Sequence, residues 1–294
     1  MNVNKWLDTN TESLAGKTVA VTGTTGGLGR EICLHLASLG ASIILMDRNA
    51  QRSEKFREEL QNRFTGATFS CINVDMTDID SVKNALAALE NNCPDIMIHN
   101  AGAYSIPRCT CKTGYDNVFQ INFVSPYYMI RGLLPKMREK KGKFVVVGSI
   151  AHNYSKTDDS DIDFATRKKA SKVYGNAKRY LMFSLYELFK NETDVTISVT
   201  HPGITFTNIT AHYPKLVFAI IKHPMKVIFM KPKKAALCIV KGAFDCTEVN
   251  EWIGPRFFNV WGLPKKQILK TCKADERERI AKNTEGIYKK MTEL

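Results

Sequence analysis

The segment from Lys17 to Leu39 constrains this chain more than any other. A β-branched run, Lys17-Thr-Val-Ala-Val21, passes directly into Thr22-Gly-Thr-Thr-Gly-Gly-Leu-Gly29, and a helical pattern from Arg30 to Leu39 follows at once. Glycines at such a junction permit a tight turn and let the backbone approach a pyrophosphate, whose charge the free amides of a helix start favour. A glycine-rich turn alone is weak evidence. Set between a strand and a helix, it stands where a dinucleotide site requires it. From residue 17 onward short β-branched runs alternate with longer helical patterns. They predict strands near 17–22, 42–46, 67–73, 95–99, 143–148 and 195–200, with a weaker one at 256–260. Helices are predicted near 27–40, 50–64, 79–91, 114–139 and 171–190. This alternation implies an α/β fold: a doubly wound parallel sheet of about seven strands, Rossmann in type, with helices on both faces.

No repeat, low-complexity stretch or linker divides the 294 residues, so one domain is expected over 1–294. Residues 1–15 read as an N-terminal extension and about 204–234 as an insertion. At 44% hydrophobic and 24% charged, the composition is that of an ordinary globular chain with a sizeable core. The first dozen residues are polar apart from Val3, Trp6 and Leu7 and lack the apolar stretch of a secretory leader, which sets the expectation of a cytoplasmic protein. Of eight scattered cysteines only Cys109 and Cys111 are close. A C-x-C pair without a second cluster is a poor zinc site, so reduced thiols and no metal are expected. The formal charge of +13 could draw nucleic acid, an anionic membrane or an anionic cofactor. No recognition-helix or RNA-binding signature accompanies it, which argues against nucleic acid.

The run Ser42-Ile-Ile-Leu-Met46 ends at Asp47, about two dozen residues beyond the first motif glycine. An acid there can accept hydrogen bonds from both adenosine-ribose hydroxyls and repels a 2′-phosphate, which favours NAD. Arg48 is the opposing signal, since a guanidinium can pair with the extra phosphate of NADP. A second pattern concerns proton transfer. Redox chemistry at a carbinol needs a group that trades a proton with oxygen while hydride moves at carbon. Tyr174-Gly-Asn-Ala-Lys178 places a phenol and an ammonium at i,i+4 on one helix face, and the ammonium can lower the phenol pKa. Ser149 follows the apolar run Phe144-Val-Val-Val-Gly148, and the carboxyl ends of parallel strands line a ligand crevice.

Thr22-Gly23, Gly27 and Gly29 resemble the T-G-x-x-x-G-x-G turn of the short-chain dehydrogenase/reductase family. Four further matches follow in family order over roughly residues 17–207. Asn100-Ala101-Gly102 resembles N-N-A-G, with His99 in place of the first asparagine. Asn122 falls at the family's active-site asparagine, and Ser149, Tyr174 and Lys178 match its catalytic residues. His201-Pro202-Gly203-Ile-Thr205-Phe-Thr207 is similar to P-G-x-x-x-T. The resemblance implies that Tyr174 is the acid/base, that Ser149 orients the substrate oxygen and that Asn122 serves a water-mediated relay. Lys178 would bind the nicotinamide ribose and lower the Tyr174 pKa. Gly23, Thr25, Gly27, Leu28 and Gly29 would hold the pyrophosphate, and Asp47, Arg48, Asp75 and Met76 the adenosine. Asn100, Ala101, Gly102, Pro202, Gly203, Thr205 and Thr207 would flank the nicotinamide end. His99 reads as a structural substitution.

The stretch between Ser149 and Tyr174 is long, and Ile150-Ala-His152 resembles retinol-dehydrogenase-like members. Residues 204–234 hold apolar runs at Tyr213–Ile221 and Pro224–Met230 among Lys222, Lys226, Lys231, Lys233 and Lys234. Three readings stand: a cover for a lipophilic alcohol or ketone such as a steroid or retinoid, ordinary core, or peripheral contact with an anionic membrane. Two alternatives to an NAD-dependent alcohol dehydrogenase are kept, an NADPH-dependent carbonyl reductase and a silent cofactor-sensing scaffold. Resemblance further implies a homodimer or homotetramer through the helices near 114–139 and 171–190.

Overall fold

The structure, a computed structural model, describes residues 2–205 and 230–294. Its strands are β1 (Thr18–Thr22), β2 (Ser42–Asp47), β3 (Phe69–Asn73), β4 (Ile96–His99), β5 (Lys143–Val147), β6 (Thr196–Thr200), β7 (Glu251–Phe257) and β8 (Trp261–Ile268). The helices are α1 (Val3–Asn10), α2 (Gly27–Ser38), α3 (Ala50–Arg63), α4 (Ile79–Asn91), α5 (Asn117–Phe119), α6 (Ser125–Lys140), α7 (Ala170–Leu188), α8 (Pro232–Phe244) and α9 (Ala274–Glu293). A π-helical turn, Gln120–Val124, joins α5 to α6. The sheet order is β3-β2-β1-β4-β5-β6-β7-β8, parallel throughout except for the antiparallel β7–β8 pair.

Strand residues alternate between two cores, as a sheet covered on both faces requires. Val19, Val21, Ile43, Leu45, Val145 and Val147 pack with α1, α2, α3 and α8. Their neighbours Ala20, Ile44, Met46, Phe144 and Val146 face α4, α6, α7 and α9. The chain changes direction across the sheet between β1 and β4, so the carboxyl ends of these strands open a crevice.

Four features add to the expectations. There are eight strands in the sheet, not about seven: the run expected at 256–260 is the turn of a hairpin. Val260 N donates to Phe257 O at 3.0 Å, and Phe258 and Asn259 between them have φ of 51° and 58°. That is the sign pattern of a type I′ turn. The expected extension contains α1, capped by the Asn2 side chain, with Trp6 and Leu7 buried against the second core. The last residues of the expected insertion begin α8 at Pro232, while residues 206–229 lie outside the described residues. Finally, α9 packs on α7, one of the two helices through which an oligomer is expected. Arg179 and Glu276 form a bidentate pair, Arg277 Nε bonds Glu187 at 2.6 Å, and Tyr288 packs on Tyr127 and Tyr128 of α6. Among the described residues, no helix is long and apolar enough to cross a membrane.

Candidate active site

A cleft of about 660 Å³ runs along the carboxyl ends of β1, β2, β4, β5 and β6. At one end lies the glycine turn. Gly23 adopts φ +72°, and a Cβ on Gly29 would stand 2.1 Å from Gly23 O. Only glycine lets the helix start pack this closely on the turn. Gly27, by contrast, has nothing nearer than Pro232 Cγ at 3.9 Å, and the N-cap Gly26 brings no side chain to the helix end. The result is a bare helix N-terminus facing the cleft, which fits the pyrophosphate of a dinucleotide. Thr22 Oγ1 accepts from Asn100 N (3.1 Å) and Ala101 N (2.9 Å), while Asn100 Nδ2 donates to Thr22 O and Gly23 O. Asn100 is thus a clamp between two strand ends. Thr22 is its partner, a role the sequence motif did not announce.

At the adenosine end Asp47 is buried, and the turn occupies its carboxylate. Thr25 N and Thr25 Oγ1 donate to Oδ1 at 3.0 and 3.1 Å; Ser53 Oγ, at 3.1 Å, and Thr24 Oγ1 donate to Oδ2. The exposed side chains of Arg48, Asn49 and Arg52 line the cleft beside it. Arg52 escaped the sequence reading because it belongs to the first turn of α3, where Asn49 caps its amide. Asp75 and Met76 line the same wall, with Asp75 Oδ1 accepting from Thr77 N and Oγ1.

At the other end Ser149, Tyr174 and Lys178 share one wall. Ser149 leaves β5 and caps a short 3₁₀ turn, Ile150–Tyr154, by accepting from Ala151 N. Lys178 Nζ donates to Val147 O at 2.8 Å and lies 5.7 Å from the Tyr174 ring centroid. Burial pushes the Lys178 ammonium down to about 7. Burial likewise pushes the Tyr174 phenol up to about 12, against a lowering hydrogen bond from Ser149. The net shift is upward, opposite to the lowering expected from Lys178. Asn122 sits in the π-helical turn, a feature frequent at functional sites. Its Nδ2 donates to Ala103 O and Val118 O, both at 2.8 Å, and its Oδ1 accepts from Ala103 N. A Cβ on Gly102 would come within 2.8 Å of Asn122 Oδ1 and 3.6 Å of Lys178 Nζ, so glycine leaves both groups room.

His201, Pro202, Gly203, Ile204 and Thr205 complete this end, and Thr207 lies outside the described residues. Tyr104 stands edge-on to Tyr174, with ring centroids 5.4 Å apart, and Ile106, Ile121, Ile150 and Tyr154 add apolar lining. Apart from Ile150, these side chains come from loops and helix starts without a fixed motif that would mark them in the sequence. His152 bridges Ser149 O (2.6 Å) and Thr271 Oγ1 (2.8 Å), tying the serine loop to the segment before α9. His99 is buried, and neither ring nitrogen has a hydrogen-bond partner among the described residues. Burial, with Lys178 as the second cause, pushes it down to about 3 and so keeps it neutral.

The sequence pattern of the family described as short chain dehydrogenase matches residues 17–215. Retinol dehydrogenase 13 of Homo sapiens is 27% identical over 206 residues, covering 68% of this chain and 62% of that protein. The chain therefore spans less than two thirds of that relative's length. Retinol dehydrogenase 14 of Mus musculus is 26% identical over 260 residues, covering 83% and 77%. Among solved structures, an uncharacterised protein of Mycobacterium paratuberculosis superposes with a TM-score of 0.71 at 19% identity, covering 96% of each chain. L-sorbose reductase of Gluconobacter frateurii, solved with NADPH and L-sorbose, gives 0.62 at 18% identity, covering 88% of this chain and 98% of that one.

Proposed function

The chain belongs to the short-chain dehydrogenase family, and on that premise we propose that it is an NADP(H)-dependent oxidoreductase acting on a lipophilic carbonyl/alcohol pair. The observation that carries the reading is one cleft holding the bare glycine turn at one end and Ser149, Tyr174 and Lys178 at the other. When bound, the dinucleotide would supply or take up the hydride. The amides of Gly27, Leu28 and Gly29 would hold its pyrophosphate, and Lys178 its nicotinamide ribose. Ser149 orients the substrate oxygen with its hydroxyl. Tyr174 donates its proton to that oxygen in reduction and takes it back in oxidation. A phenol pushed up to about 12 is protonated at neutral pH, the form that reduction needs. Asn122 ties Ala103, in the loop after β4, to the π-helical turn.

The preference for NADP(H) over the NAD expected from Asp47 rests on that carboxylate's partners. Its two oxygens already receive donors from Thr24, Thr25 and Ser53, which leaves little acceptor capacity for ribose hydroxyls. Two guanidinium groups, Arg48 and Arg52, line the cleft where a 2′-phosphate would need them. The apolar lining around Tyr174 favours a lipophilic substrate, in keeping with relatives named retinol dehydrogenases.

Titration calorimetry tests the cofactor. NADPH should bind at least about tenfold tighter than NADH, and Arg48→Ala/Arg52→Ala should remove that advantage without weakening NADH. With long-chain or aromatic aldehydes and ketones, Tyr174→Phe should lower kcat by about 10²–10⁴-fold and leave NADPH binding intact. Tighter NADH binding would overturn the cofactor assignment. Absence of binding to either would overturn the enzyme reading.

A further inference from the structure

Among the described residues, the exposed large hydrophobic side chains are Tyr154, Phe257, Phe258, Trp261, Ile268 and Leu294. Three of these crowd the β7–β8 turn: Phe257 is 51% exposed, Phe258 84% and Trp261 46%, with the Phe258 and Trp261 rings 6.2 Å apart. Phe258 also has φ 51°, a left-handed conformation that glycine or asparagine adopts at little cost and a bulky aromatic rarely does. A strained aromatic kept fully in water serves neither the core nor the turn.

The surroundings indicate what covers it. Residues 256–266 carry Arg256, Lys265 and Lys266 and no acid. Arg256 lies over the Phe257 ring at 5.8 Å, and Lys265 is exposed on β8 just beyond the bulge that follows Trp261. Backbone bonds bring a second basic group close: Ile204 N donates to Val260 O (3.3 Å), and Met230 N to Ile204 O (3.0 Å). Lys231 and Lys233, both exposed at the start of α8, follow directly. Aromatic side chains ringed by cations match the interfacial zone of an anionic bilayer. They match a second copy of this chain poorly. The outer strand β8 carries Pro264 and two lysines, which blunt edge pairing, and two such tips would oppose like charges.

We propose that the β7–β8 tip docks the protein on an anionic lipid surface, with Phe257, Phe258 and Trp261 entering the interface and Lys231, Lys233, Arg256 and Lys265 meeting the headgroups. Gly203 and Ile204, which line the cleft, are packed on this tip, so docking sets the substrate end of the cleft at the membrane.

Sedimentation of the full chain with vesicles tests this, comparing phosphatidylcholine alone with phosphatidylcholine containing phosphatidylserine. Binding should require phosphatidylserine, and Phe257→Ser/Phe258→Ser or Lys231→Glu/Lys265→Glu should each weaken it more than about tenfold with the melting temperature held. A second readout comes from tryptophan. Trp6 and Trp252 are buried, so quenching by brominated phosphatidylserine should come from Trp261 and vanish in Trp261→Phe, which still sediments. The proposal is overturned if the wild type ignores anionic vesicles or if the variants bind them equally well. It is likewise overturned if the tip variants instead dissociate a dimer, or if the tip binds a single-stranded oligonucleotide in place of vesicles.

Discussion

Replacing Lys178 with methionine should abolish turnover and raise stability. Lys178 is 2% exposed, and its ammonium has a hydrogen-bond acceptor in Val147 O. Burial moves it from its ordinary value of 10.5 to about 7, a gap of roughly 4–5 kcal/mol against the charged form. Methionine keeps the length and apolar stem without that cost, but leaves the Val147 carbonyl unpaired, which costs about 1–3 kcal/mol. The net expectation near pH 7 is about 2 kcal/mol of added stability, or roughly 4 °C in Tm for a chain of this size. The pH dependence has a fixed sign. Between about 7 and 10.5 the unfolded lysine holds its proton while the folded one has released it, so wild-type stability from this group rises with pH. The advantage of Lys178→Met should therefore shrink by about 2 kcal/mol between pH 7 and 9. Scanning calorimetry on both proteins at both pH values measures it, and taking the difference cancels the tyrosines and cysteines that also titrate there. A variant less stable than the wild type at pH 7, or a difference that does not change with pH, would refute the reasoning.

Two further perturbations probe the frame around the site. Gly29→Ala places a methyl 2.1 Å from the backbone oxygen of Gly23, which cannot give way as a side chain would. Dinucleotide binding should be lost in titration calorimetry, with about 3 kcal/mol or more of stability lost in denaturant unfolding. Glu276→Ala strips Arg179 of its carboxylate partner in a mostly buried pair. Urea unfolding should show a loss of about 3–5 kcal/mol, and size-exclusion chromatography should show self-association as α9 loosens from α7. An unchanged midpoint would mean that the Arg179–Glu276 pair does not hold α9 on α7.

The first six strands and the meeting of Ser149, Tyr174 and Lys178 in one cleft were legible because each depends on local periodicity or on a short motif at a strand end. The weaker features lacked such signals. Val3, Trp6 and Leu7 do follow helical spacing behind the capping Asn2, but α1 has only eight residues, too few for a pattern to stand out. The hairpin looks like one strand in the sequence because Phe258 occupies a turn position normally marked by asparagine or glycine. Asp47 is the more instructive case. Its identity and place were legible, yet its partners Thr24 and Thr25 lie more than twenty residues upstream. A carboxylate's role depends on which donors reach it first, and only the folded turn decides that.

The costs in this fold are unevenly placed, and the placement supports the assignment of the site. At the amino ends of the strands the chemistry is ordinary: Asp95 accepts from Thr18 N at 2.8 Å and pairs with Lys17. At the carboxyl ends, β4 finishes in a buried histidine whose nitrogens have no hydrogen-bond partner among the described residues. Nearby, α5 and α6 are joined through a π-helical turn at Asn122, and a desolvated amine and phenol share one face of α7. Each of these departures opposes folding, and they converge along the cleft while the opposite end of the sheet shows ordinary pairing. Random imperfection would scatter such costs. Their concentration is what a preorganised site requires, and there local sequence rules are expected to fail.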